Sequence, residues 1–289
     1  MSGRLGALIL ALSTLAACAS PALEPSGSWE WREDDPAHGG YSAIEVQPGG
    51  HEAIVLSDRG RLVRLRLYRG PKGRIARIES DGGTMLTPPE RKQYAFDPEG
   101  IAVPPDQSRL FVSTEGQITG VLEYASPDRA PTILPIPETF HQLPNNNALE
   151  GLAMDANGAL WTTPEDTPGE SLPTYIFRGT TWQDGPALPR RGEFAPVGLD
   201  FDDTGRLYVL ERDLEGILGF RTRVRRFTFA GNEVATEEEL FATLPGTHDN
   251  LEGIAVWRDD AGELHLTMIS DDNFFFFQKT QLVEYDLPN

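Results

Sequence analysis

"FDPEGIAV", residues 96–103, sets a carboxylate and a glycine directly before an apolar strand. The arrangement returns as "NALEGLAM" at 147–154 and "DNLEGIAV" at 249–256, and a version without the carboxylate, "FAPVGLDF", stands at 194–201. Aligned on the motif, Gly100, Gly151, Gly198 and Gly253 are separated by 51, 47 and 55 residues. Ala43 of "YSAIEV" takes the same place 57 residues before Gly100. A repeat of this period predicts propeller blades rather than a helical array.

Each period carries the same order of short strands. "EGIAV" is followed by the turn "PPDQS", then "RLFVSTE", "VLEYAS" and "TILPIPE"; the next periods run "GLAM", "ALWTTPE", "TYIFRG" with an edge segment around Trp182, then "GLDF", "RLYVLER", "RVRRFTF" and "ELFATLP". The strands are bounded by Gly, Asp, Asn or Pro, and no segment has convincing helical periodicity. The fold class is therefore all-β, a propeller of four-stranded blades. The last period supplies only "GIAVW", "ELHLTMIS" and "QLVEYDL", and "SWEWR" at 28–32 is the candidate for its missing strand. Closing the ring in this way would leave no open sheet edge. The count is five blades, or six if residues 70–95 hide more than a strand and a loop.

In a blade the innermost strand begins, and the second strand ends, at the same rim. Strand one opens with Glu99, Glu150 and Glu252; strand two closes with Asp58 and Arg59, Glu115, Glu165 and Asp166, Glu211 to Asp213, and Asp271 to Asn273. Carboxylates from all five units are thus expected at one mouth of the central channel. Crowded carboxylates resist ionisation unless a cation or arginines compensate them. A hard cation with oxygen ligands suits these residue types, and calcium tolerates irregular coordination better than magnesium does. The candidate ligands are Glu99, Glu150, Glu252, Asp271, Asp272 and Asp58. The alternative is that each glutamate accepts backbone N–H groups of the neighbouring blade and staples the ring. The glycine is read as structural, allowing close backbone approach.

Other motifs resolve into ordinary parts. "DANG", "DDTG" and "DDAG" lie between strands one and two and read as hairpin turns. No nucleophile elbow, zinc-protease helix motif or phosphate-binding P-loop occurs. His248 precedes the third glutamate motif, where it reads as a loop histidine or as one reaching the mouth. Phe274, Phe275, Phe276 and Phe277 follow strand two of the last unit; four in a row cannot all face one core, so some must meet solvent, a cleft or a partner.

The chain of 289 residues carries a formal charge of −19, with 39% hydrophobic residues. That composition is globular, and its sign opposes binding to nucleic acid, which requires Lys and Arg against phosphates. Arg4 followed by the apolar run from Leu5 to Ala17 reads as a secretory leader, too short to span a bilayer. Its end, Leu15-Ala16-Ala17-Cys18, resembles a bacterial lipobox, which implies acylation of Cys18 and, with Ala19 following, an outer-membrane lipoprotein facing the periplasm. Contact with the membrane would be through the lipid alone. Cys18 is the single cysteine, so the chain can form no internal disulfide. The expected division is leader 1–18, tether 19–28 and one propeller domain over 29–289.

"LYVLERDLEGILGFRTRVRRF" (207–227), "DNLEGIAV" and "ISDDNFFFFQKTQLVEYDL" (269–287) resemble the phytase-like family described as having esterase-like activity, over about residues 40–287. The resemblance implies a propeller and hydrolysis of phosphate esters or other esters, with calcium held by carboxylates. Val197 in place of glutamate, and the phenylalanine run after Asn273, depart from the pattern. On this reading Glu99, Glu150 and Glu252 are the catalytic, metal-holding candidates, and Arg59, Arg212 and Lys279 the phosphate clamp. The competing expectations are a non-catalytic periplasmic binding or scaffolding propeller and a sugar-lactonase-like propeller with a metal in its tunnel. The sequence leaves the oligomeric state open.

Overall fold

The computed structural model describes residues 23–89, 96–116, 118–144, 146 and 148–288. The expected leader with Cys18, and residues 19–22 of the expected tether, lie outside them. Five antiparallel sheets form the blades, each built outward from an inner strand. The inner strands are Tyr41–Val46, Asp97–Ala102, Leu149–Met154, Ala195–Phe201 and Leu251–Arg258. Each touches the inner strands before and after it, and the fifth returns to the first, so the ring is closed.

The strand Gly27–Glu30 completes the fifth blade by pairing antiparallel with residues 281–284, Gly27 opposite Glu284 and Glu30 opposite Gln281. Residues 70–89 add only the outer strand Ile75–Ser80 and the short strand Thr84–Met85 to the first blade, so there are five blades and not six. Arg69 reinforces the closure from the first blade: its guanidinium donates two hydrogen bonds, of 2.9 and 3.0 Å, to the Glu284 carboxylate.

Apolar side chains fill the spaces between blades. One cluster joins Val197, Tyr208 and Phe241 of blade four to Leu266, Met268 and Tyr285 of blade five, and comparable clusters occupy the other interfaces. The Phe241 and Tyr285 rings stack across that interface with centroids 4.1 Å apart.

The repeated glycine marks the closest approach of neighbouring blades. A Cβ on Gly151 would lie 2.6 Å from the Leu199 nitrogen, and one on Gly198 would lie 2.6 Å from the Glu252 carbonyl oxygen. No side chain fits there, which explains why the residue recurs. The turns Asp155–Gly158, Asp202–Gly205 and Asp259–Gly262 are tight hairpin loops. In each, the aspartate accepts backbone N–H groups two and four residues ahead, and the glycine has φ near +80°.

Candidate functional site

A β-bulge interrupts every inner strand at the same place. The register shifts between Tyr41 and Ala43, Pro98 and Gly100, Leu149 and Leu152, Pro196 and Gly198, and Leu251 and Gly253. Ser42, Glu99, Val197 and Glu252 are the extra residues, and Glu150 lies in the corresponding shift of blade three. A bulged residue has no ladder partner and its side chain is re-aimed. The bulge thus answers the question posed by the repeated carboxylate, since it turns that side chain out of the blade and toward the channel mouth.

Four blades deliver carboxylates to that mouth. Asp58, Asp97, Glu99, Glu115, Glu150, Glu165, Glu252 and Asp271 lie close enough to perturb one another. Burial, then the charges of Glu150 and Glu252, raises the pKa of Glu99 well above the usual carboxylate range. Burial, then Glu165, does the same to Glu150. Asp271 is pushed up to about 8 by burial and by Glu252, and Asp58 to about 6 by burial against the opposing pull of Arg59. These groups cannot all be ionised in the bare site.

Blade four contributes a cation where its carboxylate is missing. Val197 occupies the glutamate place, and Arg212 from the second strand of that blade reaches across instead. Its guanidinium pairs with Glu252, donates to Glu165 at 3.1 Å and donates to the Asn250 amide oxygen at 2.7 Å. Burial opposes the Arg212 charge, but Glu252, Glu165 and Glu150 outweigh it and hold the guanidinium above its ordinary pKa. The adjacent Glu211 turns the other way, fully buried between Arg223 and Arg225, and takes no part in the mouth.

Carboxylate oxygens of Asp97, Glu99 and Glu115 lie within 4.8 Å of one another, a spacing that one cation bridges. The small cavity on the axis, about 10 Å³, is lined by Ser42, Glu99 and Glu252 and has room for one water-sized particle. Two buried oxygens in this region have no hydrogen-bond partner among the described residues, Ser42 Oγ and Asp58 Oδ1. Orphaned oxygens beside carboxylates that burial and mutual repulsion disfavour form a donor set that fits a hard cation.

The structure brings Glu99, Glu150, Glu252, Asp58, Asp271 and Arg212 together. Asp272 is nearby but already occupied, accepting from the N–H groups of Gly40 and Phe274 and from the Thr280 hydroxyl, each at 3.0 Å. Lys279 points to Glu30 on the closing strand, 3.4 Å away, at the outer edge of blade five. Arg59 is exposed and lies over the Phe274 ring, 3.4 Å from its centroid. His248 is buried and hydrogen-bonds the Tyr285 hydroxyl at 2.9 Å between blades.

Asp97 was not among the residues singled out from sequence. Its signal was its place two residues before the motif glutamate, where Asn250 stands in the third copy and donates to Glu252 at 2.7 Å. The backbone-stapling role also falls on unexpected carboxylates. Glu45 accepts the Val103 N–H at 3.1 Å and Asp200 the Val256 N–H at 2.6 Å, each from the next inner strand of the ring.

The model of the phytase-like family, described as the esterase-like activity of phytase, matches residues 36–274. The chain belongs to that family. No curated protein matches it. Among solved structures, the chain is similar to the β-propeller domain of Cps50 (Swd1) from Myceliophteria thermophila, at 8% identity and a TM-score of 0.49, over 92% of this chain and all of that one. It is also similar to the hydrazine synthase of Kuenenia stuttgartiensis, at 13% identity and a TM-score of 0.46, over 86% of this chain; it spans 60% of that chain's length. Membership in the phytase-like family suggests esterase-like hydrolase activity, and the acidic cluster of Asp97, Glu99 and Glu115 could hold an ion.

Proposed function

We propose that the protein is a calcium-dependent hydrolase of phosphate esters or other esters, with the cation held at the acidic mouth. The observation that supports it best is the convergence of carboxylates from four blades around orphaned oxygens, with Arg212 as the basic side chain ion-paired among them. Glu99, Glu150 and Glu252, joined by Asp97, Glu115, Asp58 and Asp271, would hold the ion. Bound there, it would polarise the ester oxygen and activate a water for attack. Asp271, protonated in the bare site below about pH 8, gives up its proton when it takes a cation, so loading releases protons. Arg212 is ion-paired with Glu165 and Glu252 and presents a positive charge to an incoming anionic group. Arg59 offers a second at the rim.

The test is to strip the soluble domain with a chelator and add calcium or magnesium back. Melting temperature and turnover are followed on panels of phosphomonoesters, carboxylic esters and lactones. Calcium-restored turnover, abolished in Glu99→Gln and Glu150→Gln, is the expected result. Stabilisation by calcium without turnover of any panel makes the protein a binding propeller and overturns the hydrolase reading.

The lipobox-like segment supports an envelope protein anchored through Cys18. Labelled palmitate should enter the wild-type chain and not Cys18→Ser; equal labelling removes the anchor.

A further inference from the structure

Eight large apolar side chains are exposed among the described residues, and seven of them belong to mouth-side loops of blades four and five. Leu214 ends the second strand of blade four and Ile217 and Leu218 follow it, Leu244 sits in the link to blade five, and Phe275, Phe276 and Phe277 follow the second strand of blade five. The link is fastened to the first loop, with the Gly246 N–H donating to the Phe220 carbonyl at 2.9 Å. Ile217 and Phe276 are almost completely exposed, at 104% and 99%.

The phenylalanines are held out by construction. Asn273 and Phe274 adopt left-handed backbone, with φ of 48° and 53°, a conformation that costs side-chain-bearing residues energy. Asp271 and Asp272 cap their N–H groups, and Asp249 accepts from the Gln278 side chain and the Lys279 N–H. Phe275 and Phe277 stack at 5.3 Å, and Phe276 meets Phe277 edge-on at 5.4 Å. A fixed aromatic group in solvent, supported by this many polar contacts, is the form of a binding surface rather than of a slack loop.

Both loops border one cavity beside the acidic mouth, the blade-four loop through Leu214 and Phe220 and the blade-five loop through Asn273. The cavity, of about 340 Å³, is lined by Arg212, Asn250, Leu214, Phe220 and Asn273, the first residue of the strained turn, together with the carboxylates Glu165, Glu193 and Asp213. Its size is that of a small-molecule pocket. The protein's charge of −19 and its carboxylate rim oppose docking on an anionic bilayer.

We propose that the substrates are amphiphilic esters, with the ester group at the Arg212 end of the cavity and a hydrocarbon chain lying on Leu214, Phe220 and the Phe275–Phe277 cluster. The proposal rests on the hydrolase reading above and narrows its substrate class.

Two measurements keep the two apart. In the first, kcat/KM is compared for p-nitrophenyl acetate and p-nitrophenyl octanoate, in wild type and in a Phe275→Ser, Phe276→Ser, Phe277→Ser variant whose melting temperature is checked. Octanoate should be favoured by about tenfold in wild type, the effect of burying about two of its six extra methylenes, and the ratio should fall toward one in the variant. In the second, Nile red bound to wild type should be displaced by octyl acetate and not by ethyl acetate, whether or not either ester is hydrolysed, and the variant should bind the dye weakly.

Acetate turnover with no chain-length preference overturns this inference and leaves the hydrolase standing. Selective displacement by octyl acetate without turnover of any ester does the reverse, leaving an amphiphile-binding site. Sedimentation of wild type, but not variant, with phosphatidylcholine vesicles, together with equal rates on both esters, makes the surface a bilayer contact and also overturns the inference.

Discussion

A carboxyl group whose pKa rises on folding binds its proton more tightly in the folded chain, so it stabilises the fold below the unfolded pKa. That contribution is lost as pH rises through the folded value. Asp58, Asp200 and Asp271, pushed to about 6, 7 and 8 chiefly by burial, all act in this sense. The melting temperature of metal-free protein should therefore fall between pH 4 and pH 8, and calcium should recover much of the loss at pH 8; a curve flat across that range contradicts the crowded mouth. Arg212→Gln should sharpen the same dependence. Glu252, whose pKa burial raises and Arg212 pulls down, loses its counter-charge but at low pH can take up a proton instead, so the variant's deficit in melting temperature should be larger at pH 8 than at pH 5. The identity of Arg212 was legible in the sequence as a possible clamp. Its function as the stand-in for a missing blade-four glutamate was not, because that depends on which of two adjacent side chains, Glu211 or Arg212, the second strand turns toward the mouth.

The inner strand carries two demands in consecutive residues, a bulge that aims a side chain and a glycine that admits the neighbouring strand. Gly198→Ala would place a methyl group 2.6 Å from the Glu252 carbonyl, and overpacking against backbone should cost about 1–3 kcal/mol, read by urea unfolding. In the second and third strands of blade four the fully buried Glu211 holds Arg223 and Arg225. Glu211→Gln leaves Arg223 without its charge partner and Arg225 with Glu237 alone, and should cost about 3–5 kcal/mol by the same measurement. A cost near zero for either variant would mean that the blade interface adapts freely. Strand order, hairpin turns and the recurrent glycine could be read directly, since each has a local chemical signature. The bulge could not, because it is a relation between two strands and leaves only the repeated spacing behind. Asp97 escaped notice for a related reason: its hydrogen bond with Glu99 is a relation between two side chains that the repeated spacing does not display.

At the scale of the molecule, five interfaces each bury an apolar cluster and one short strand closes the ring. Removing residues 23–31 would uncover the edge of the strand Gln281–Leu287 and take away Trp31, which stacks on Tyr41 at 5.0 Å. The truncated protein should melt at lower temperature and associate through the bared edge, visible as larger species on size-exclusion chromatography. A monomeric truncation with unchanged melting temperature would show the closing strand to be dispensable. Blade number and closure were legible because both follow from counting strands; the exposed loops of blades four and five were only partly so, since sequence shows a phenylalanine run but not which rings the fold leaves outside. The pairing of Gly27–Glu30 with Gln281–Glu284 also sets a timetable. The strand Gly27–Glu30 must wait, unpaired, until the strand Gln281–Leu287 has been synthesised before it can dock. Native closure is thus a late event that no nascent chain lacking the strand Gln281–Leu287 can reach, and in that pairing, with the Arg69–Glu284 ion pair beside it, quality control during biogenesis has a long-range contact by which closed molecules differ from open ones.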